Sequence, residues 1–157
     1  MIDTEIKWDD EEVQRGLKRI QDDMPMINRL ILQRWAEEVI KTSQEDYLNA
    51  SEGDTAHLHS RSGKLSSSLR WWLVGDRAFV GTNIKYAAIH EFGGKIVPRS
   101  ANYLHFRTRD GQWHMVKEVN MPPRPYLAPS IKELFQTNRA KRIAELTLEQ
   151  ELVKRMR

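Results

Sequence analysis

A stripe of apolar residues in the first third of the chain sets the strongest limit on what it folds into. Ile27, Ile31, Trp35 and Val39 recur every four residues, the spacing that keeps side chains on one face of an α-helix. Leu30, Ala36 and Ile40 widen the stripe and Tyr47 and Leu48 extend it, while Gln33, Arg34, Glu37, Glu38 and Lys41 fill the opposite side. The pattern predicts a helix from about residue 25 to 49 whose apolar face must be buried against another layer. A shorter stripe, Val13, Leu17, Ile20 and Met24, follows the acids Asp9 to Glu12 and predicts a separate helix over 9–23. Pro25, with a fixed φ and no N–H, is expected to interrupt the two, opening the second helix with Asp22 or Asp23 as its cap.

The middle of the chain alternates instead. Residues 69–74 and 77–81 read as two strands joined by Gly75-Asp76, a two-residue turn with Gly first. Leu69, Trp71 and Leu73 share one face and Arg70, Trp72 and Val74 the other. Both faces are partly apolar, so helices are expected to cover one and a partner the other. Residues 103–107 and 113–117 form a second hairpin with Asp110-Gly111 at its tip. Between the hairpins, 83–92 predicts a helical turn or two that places Tyr86, Ile89 and His90 together, and Gly93-Gly94 ends it. Residues 50–62 read as a mobile loop and 95–102 as an extended excursion. Three prolines within 122–125 make a stiff connector. One last helix then carries Ile131, Leu134, Phe135, Ile143 and Leu146 on its apolar side. The expected fold is a single α+β domain over 1–157, with N-terminal helices and a C-terminal helix packed on a small antiparallel sheet of two hairpins.

Composition narrows the function classes. The 157 residues are 39% hydrophobic and 30% charged, with no apolar run of membrane-spanning length and no signal-peptide pattern at the start. The absence of cysteine excludes disulfides, thiol catalysis and cysteine zinc sites, and a reducing cytosol is the simplest home. Charge is unevenly spread: residues 1–60 carry net −7, residues 61–125 net +7 and residues 126–157 net +3. Such polarity suits head-to-tail self-association or contact with a nucleic acid, and also suits two ordinary solvated faces.

A search for reaction chemistry yields little. His57 and His59 flank Leu58, without a third ligand at useful spacing. His90 and Glu91 are adjacent, so on a helix they point apart, and His90 is expected to pack beside Tyr86 and hydrogen-bond locally. His105 and His114 lie on facing strands, read as an exposed polar pair. Ser66, Ser67 and Ser68 stand in no nucleophile-elbow or phosphate-loop pattern. An enzyme is not expected, and neither is a cofactor or a metal. The basic residues Arg61, Lys64 and Arg70 gather at the first hairpin, and Lys95, Arg99, Arg107, Arg109 and Lys117 at the second, interleaved there with Tyr103, Phe106 and Trp113. This is the pattern of a nucleic-acid face with stacking residues, or of a hairpin with one aromatic and one solvated side.

Three motifs in order carry a family resemblance. They are Arg61-Ser62-Gly63-Lys64-Leu65-Ser66-Ser67-Ser68-Leu69, then Tyr86-Ala87-Ala88-Ile89-His90-Glu91-Phe92-Gly93-Gly94 after Val80-Gly81-Thr82, then Pro123-Arg124-Pro125-Tyr126-Leu127. The series, within residues 10–140, resembles the tail-completion or head–tail joining proteins of tailed bacteriophages, also called neck or virion morphogenesis proteins. The resemblance implies a structural virion protein at the neck or tail top, assembled in the host cytoplasm. It implies a homo-oligomeric ring, hexamer or dodecamer, around a channel that passes phage DNA. Its implied partners are head-side connector or portal proteins and tail terminator or tail tube proteins, with no membrane. The motif residues Tyr86, His90, Phe92, Gly93, Gly94, Arg124, Pro125 and Tyr126 are then structural, with Tyr86 and Phe92 anchoring their segment to the sheet. Arg124, held between prolines, aims its guanidinium at a carboxylate or carbonyl, as an intersubunit pin or an internal clasp. The basic residues of both hairpins become interface or channel-lining candidates. The rival reading is a free nucleic-acid-binding protein using the basic region 61–125, and a further one is a metal-dependent hydrolase using His57, His59 and His90.

Overall fold

Helix α1 (Asp10–Thr42) runs unbroken through Pro25 in the computed structural model, which describes residues 10–49, 57–58, 62–108 and 110–155. The two helices expected on either side of Pro25 are therefore one. Pro25 and Gln21 are both exposed, so water can serve the Gln21 carbonyl that the proline leaves without a donor. The C-terminal half of α1 holds the core, with Ile27, Ala36 and Val39 buried. A π-helical turn, Ser43–Tyr47, follows and turns the buried Ser43 inward. The loop read at 50–62 lies mostly outside the described residues. Leu58, expected in that loop, is buried in the core instead, its N–H donating to the Tyr47 carbonyl at 3.0 Å.

Helix α2 (Lys64–Ser67) is a single turn that leads into strands β1 (Arg70–Val74) and β2 (Arg77–Gly81). Their register opposes Trp72 to Phe79 and Trp71 to Val80. Helix α1 covers the face that carries Trp71 and Leu73. Helix α3 (Ala87–Phe92) ends at Gly93-Gly94 as expected. The excursion at 95–102 is partly regular, because β3 (Gly94–Ile96) pairs antiparallel with β6 (Val119–Met121). That ladder closes the base of a hairpin formed by β4 (Leu104–Arg107) and β5 (Trp113–Val116). The fold is α+β, and its strands form three separate two-stranded antiparallel ladders.

The last helix is two helices, α4 (Leu127–Gln136) and α5 (Arg139–Arg155). Asn138 breaks them in the left-handed conformation at φ 59°, which asparagine tolerates better than most residues. Both pack on α1. Trp35 Nε1 donates to the Ala140 carbonyl at 2.8 Å, Arg34 reaches Thr147 Oγ1 at 2.9 Å, and Phe135 meets Trp35 edge-on. One core cluster gathers Leu48, Leu58, Leu65, Leu69, Ala87 and Tyr126, and a second gathers Val39, Leu134 and Ala140. Among the described residues no helix is long and apolar enough to cross a membrane.

Candidate functional site

Helix α4 begins at Pro125-Tyr126-Leu127, where its own sequence offers no Ser, Thr, Asn or Asp to cap it. Its cap comes from α3. The Glu91 carboxylate is buried and accepts three backbone N–H groups, Tyr126 at 2.8 Å and Leu127 at 3.1 Å on Oε2, and Ala128 at 2.9 Å on Oε1. A negative charge at a helix N-terminus also meets the positive end of the helix dipole. The Arg124 N–H donates to the His90 carbonyl at 2.7 Å, one step upstream of the cap. The Ser43 and Ser130 hydroxyls lie 2.9 Å apart, and the Tyr126 carbonyl is 3.0 Å from the first and 2.6 Å from the second. Burial, and then the nearby Glu91 charge, push the Tyr126 phenol up to about 12. The motif stretches 86–94 and 123–127 are thus one clasp, which locks α3, the connector and α4 to the end of α1.

The clasp is not made by the groups that the motif suggests. Phe92 is 78% exposed and Tyr86 also faces solvent, so neither anchors α3 to a sheet; Ala87 and Glu91 are the buried residues. The Arg124 guanidinium makes no hydrogen bond or ion pair among the described residues, and its backbone does the clasping. Glu91 is missed by sequence reasoning because it sits in a short mixed segment. The missing cap at Tyr126 is the signal that could have found it, since 61–125 contains few acids to supply one.

His90 packs edge-on against Tyr86 at 5.7 Å as expected, but its buried Nδ1 has no hydrogen-bond partner among the described residues. Burial, and then the Arg124 charge, lower its pKa below the ordinary histidine value. The folded state therefore favours the neutral ring. As pH falls below about 6.5 the unfolded chain takes up a proton that the folded chain resists, so stability declines until the folded pKa is passed. Urea midpoints measured from pH 7.5 to 5 are expected to fall more steeply for the wild type than for His90→Phe. Equal slopes would remove His90 from that pH dependence.

Register separates the two histidines of the second hairpin. His105 faces Met115 and Phe106 faces His114, so the histidines lie on opposite sides of the ladder rather than as a pair. His114 stacks on Phe106 at 5.6 Å and its Nε2 lies 3.1 Å from Thr108 Oγ1. The other side carries Arg107 opposite Trp113, and Trp113 is 73% exposed. Of the basic candidates, Lys95 pairs with Glu118 at 2.9 Å, Arg107 donates to the Gly111 carbonyl at 2.8 Å, and Arg70 donates to the carbonyls of Ser67 and Leu69. Lys64, Arg99 and Lys117 are exposed. Arg61 and Arg109 lie outside the described residues, as does His59. His57 packs edge-on against Tyr47, and no cluster of three metal-ligating side chains occurs among the described residues.

The outer face of β1–β2 is an open aromatic platform. Trp72 and Phe79 stack with their planes 9° apart and centroids 5.7 Å apart, and both are exposed together with Val74. A Cβ at position 81 would stand 3.2 Å from Trp72 Cη2, so Gly81 lets the indole lie flat on the ladder. Contiguous exposed apolar surface of this kind marks an interaction site more often than a solitary surface. A protein-family model, the phage virion morphogenesis family, matches residues 38–151. No curated protein and no solved structure matches the chain significantly.

Proposed function

The chain belongs to the phage virion morphogenesis family, and on that premise we propose that it is a ring subunit completing the neck or tail top and joining the tail to the DNA-filled head. The family gives the coarser part, a virion-associated structural and assembly role. The observation that supports the finer part is the pair of exposed aromatic surfaces, Trp72 with Phe79 on one hairpin and Trp113 on the other, held on a body fixed by the Glu91 clasp. Two such surfaces fit a subunit that meets neighbours on more than one side. In this reading the head-side neighbour is a connector or portal protein and the tail-side neighbour a terminator or tube protein. The basic residues of the second hairpin and its approach, Lys95, Arg99, Arg107 and Lys117, then face the channel or the next ring.

Electron microscopy of lysates from a phage with this gene disrupted tests the proposal. Full heads and finished tails left unjoined are the expected result, and normally joined particles would overturn it. Arg107, which stands opposite the exposed Trp113 in the β4–β5 register, favours a second reading as a free nucleic-acid-binding protein. That reading requires DNA affinity with a steep salt slope, whereas the joining role requires only weak binding in solution.

A further inference from the structure

The apolar stripe of α1 does not stop where the core stops. Ile27 is fully buried, yet the same stripe continues toward the N-terminus through Met24, Ile20, Leu17 and Val13, and Leu17 is 61% exposed. Helix α5 ends beside Asp23, whose carboxylate bonds the Arg155 guanidinium. From there α1 runs on to Asp10, about 20 Å at 1.5 Å per residue, with no other described element packed along it. Gly16, on the edge of this stripe, has nothing within 4 Å of where its Cβ would lie. A mid-helix glycine weakens a helix by roughly 0.5–1 kcal/mol relative to alanine, and nothing within the described fold requires this one. It leaves room for another backbone to approach.

We infer that this arm docks on the outer β1–β2 face of a second copy of the chain, with Val13, Leu17 and Ile20 seated on the Trp72–Phe79 platform. Three observations select that occupant. First, dimensions are compatible: the exposed stripe from Val13 to Ile20 spans about 10 Å, which fits within a five-residue strand of about 17 Å. Second, helix on ladder is how the chain already covers the inner face of the same hairpin, with the C-terminal half of the same helix. Third, charge selects head-to-tail pairing. With Asp23 already paired to Arg155, residues 10–22 carry four acidic and three basic residues, net −1, whereas the hairpin 70–81 carries Arg70 and Arg77 against one acid, Asp76, net +1. Arm against arm, or platform against platform, would oppose like net charge, and only arm against platform opposes unlike. A heterologous contact of this kind closes into a ring or runs on as an open chain.

The inference rests on the ring proposed above and supplies its interface. Its test is separate from the phage experiment. Sedimentation of the full chain at rising concentration is expected to show association beyond monomer. Leu17→Glu and Trp72→Glu are each expected to weaken it at least about thirtyfold, the loss typical of an interface hot spot. Each variant keeps one half of the contact. An equimolar mixture of the two is therefore expected to form a one-to-one heterodimer, with the arm of the Trp72→Glu chain on the platform of the Leu17→Glu chain. A wild type that stays monomeric, a variant that associates like wild type, or a mixture that yields no heterodimer would each overturn the inference. Should Trp72→Glu melt early, Val74→Glu, at a 60% exposed position on the same face, takes its place. Failed association with unjoined heads and tails in the disrupted phage would remove this interface and leave the joining role standing.

Discussion

Glu91→Ala is expected to destabilise the protein by about 3–4 kcal/mol, because one carboxylate serves three backbone donors. A hydrogen bond to a charged acceptor contributes about 1.5–3 kcal/mol. The three do not add fully, since Ala128 is exposed and water can take over its N–H. Tyr126 is 1% exposed, so its N–H has no such replacement. For a chain of this size the loss corresponds to a melting temperature lower by roughly 10 °C. Glu91→Gln keeps one carbonyl oxygen as an acceptor but turns an NH2 toward the helix N-terminus, and is expected to lose about half as much. Thermal melts of the two variants, read beside Phe92→Ala, check the assignment. Phe92 belongs to the same motif but lies in solvent, and its truncation is expected to leave the melt within about 1 kcal/mol of wild type. If Phe92→Ala were the more damaging change, the clasp would not be what holds α4.

The contrast between these neighbours marks where the sequence was legible. Strand positions followed from local rules: alternation and the Gly75-Asp76 turn located β1 and β2, and Asp110-Gly111 located the tip between β4 and β5. These signals depend on residues a few positions apart. What escaped depends on residues far apart. The β3–β6 ladder joins three-residue strands across the whole second hairpin, too short for any periodicity to register. Pro25 looked like a helix boundary because its local cost is real, yet burial from Ile27 onward outweighs one missing hydrogen bond on an exposed turn. Asn138 ended a helix that its apolar pattern did not visibly end. The two motif stretches meet in the fold, and the side chain that joins them is Glu91, between the aromatic and histidine side chains that draw attention. Exposure of the Val13–Leu17–Ile20 stripe was equally hidden, since an amphipathic helix reads the same whether its partner is its own core or another molecule.

Gly93→Ala is expected to cost about 3–5 kcal/mol, a second route to breaking the clasp that leaves every capping group in place. Gly93 sits at φ 68°, ψ −173°, a region that is essentially closed to residues with a Cβ and costs about 1–3 kcal/mol to impose. Space is closed as well. An added Cβ would lie 2.8 Å from the Pro123 nitrogen and 2.9 Å from the Met121 carbonyl oxygen. Both atoms are backbone, and both belong to the stretch from the last residue of β6 to the Arg124–His90 hydrogen bond. Relief would have to come from moving the connector away from α3, which pulls Tyr126 and Leu127 off Glu91. Two other glycines set the scale. At Gly94 the added Cβ would meet only the end of the Ile89 side chain, at 2.9 Å, so despite its φ of 142° the loss at Gly94→Ala is expected to be smaller. At Gly16 nothing lies within 4 Å, and Gly16→Ala is expected to stabilise the free chain by roughly 0.5–1 kcal/mol. Denaturant midpoints should therefore rank Gly16→Ala above wild type, Gly94→Ala below it, and Gly93→Ala lowest. If Gly93→Ala melted near wild type, the close approach of the connector to α3 would not be what closes the clasp.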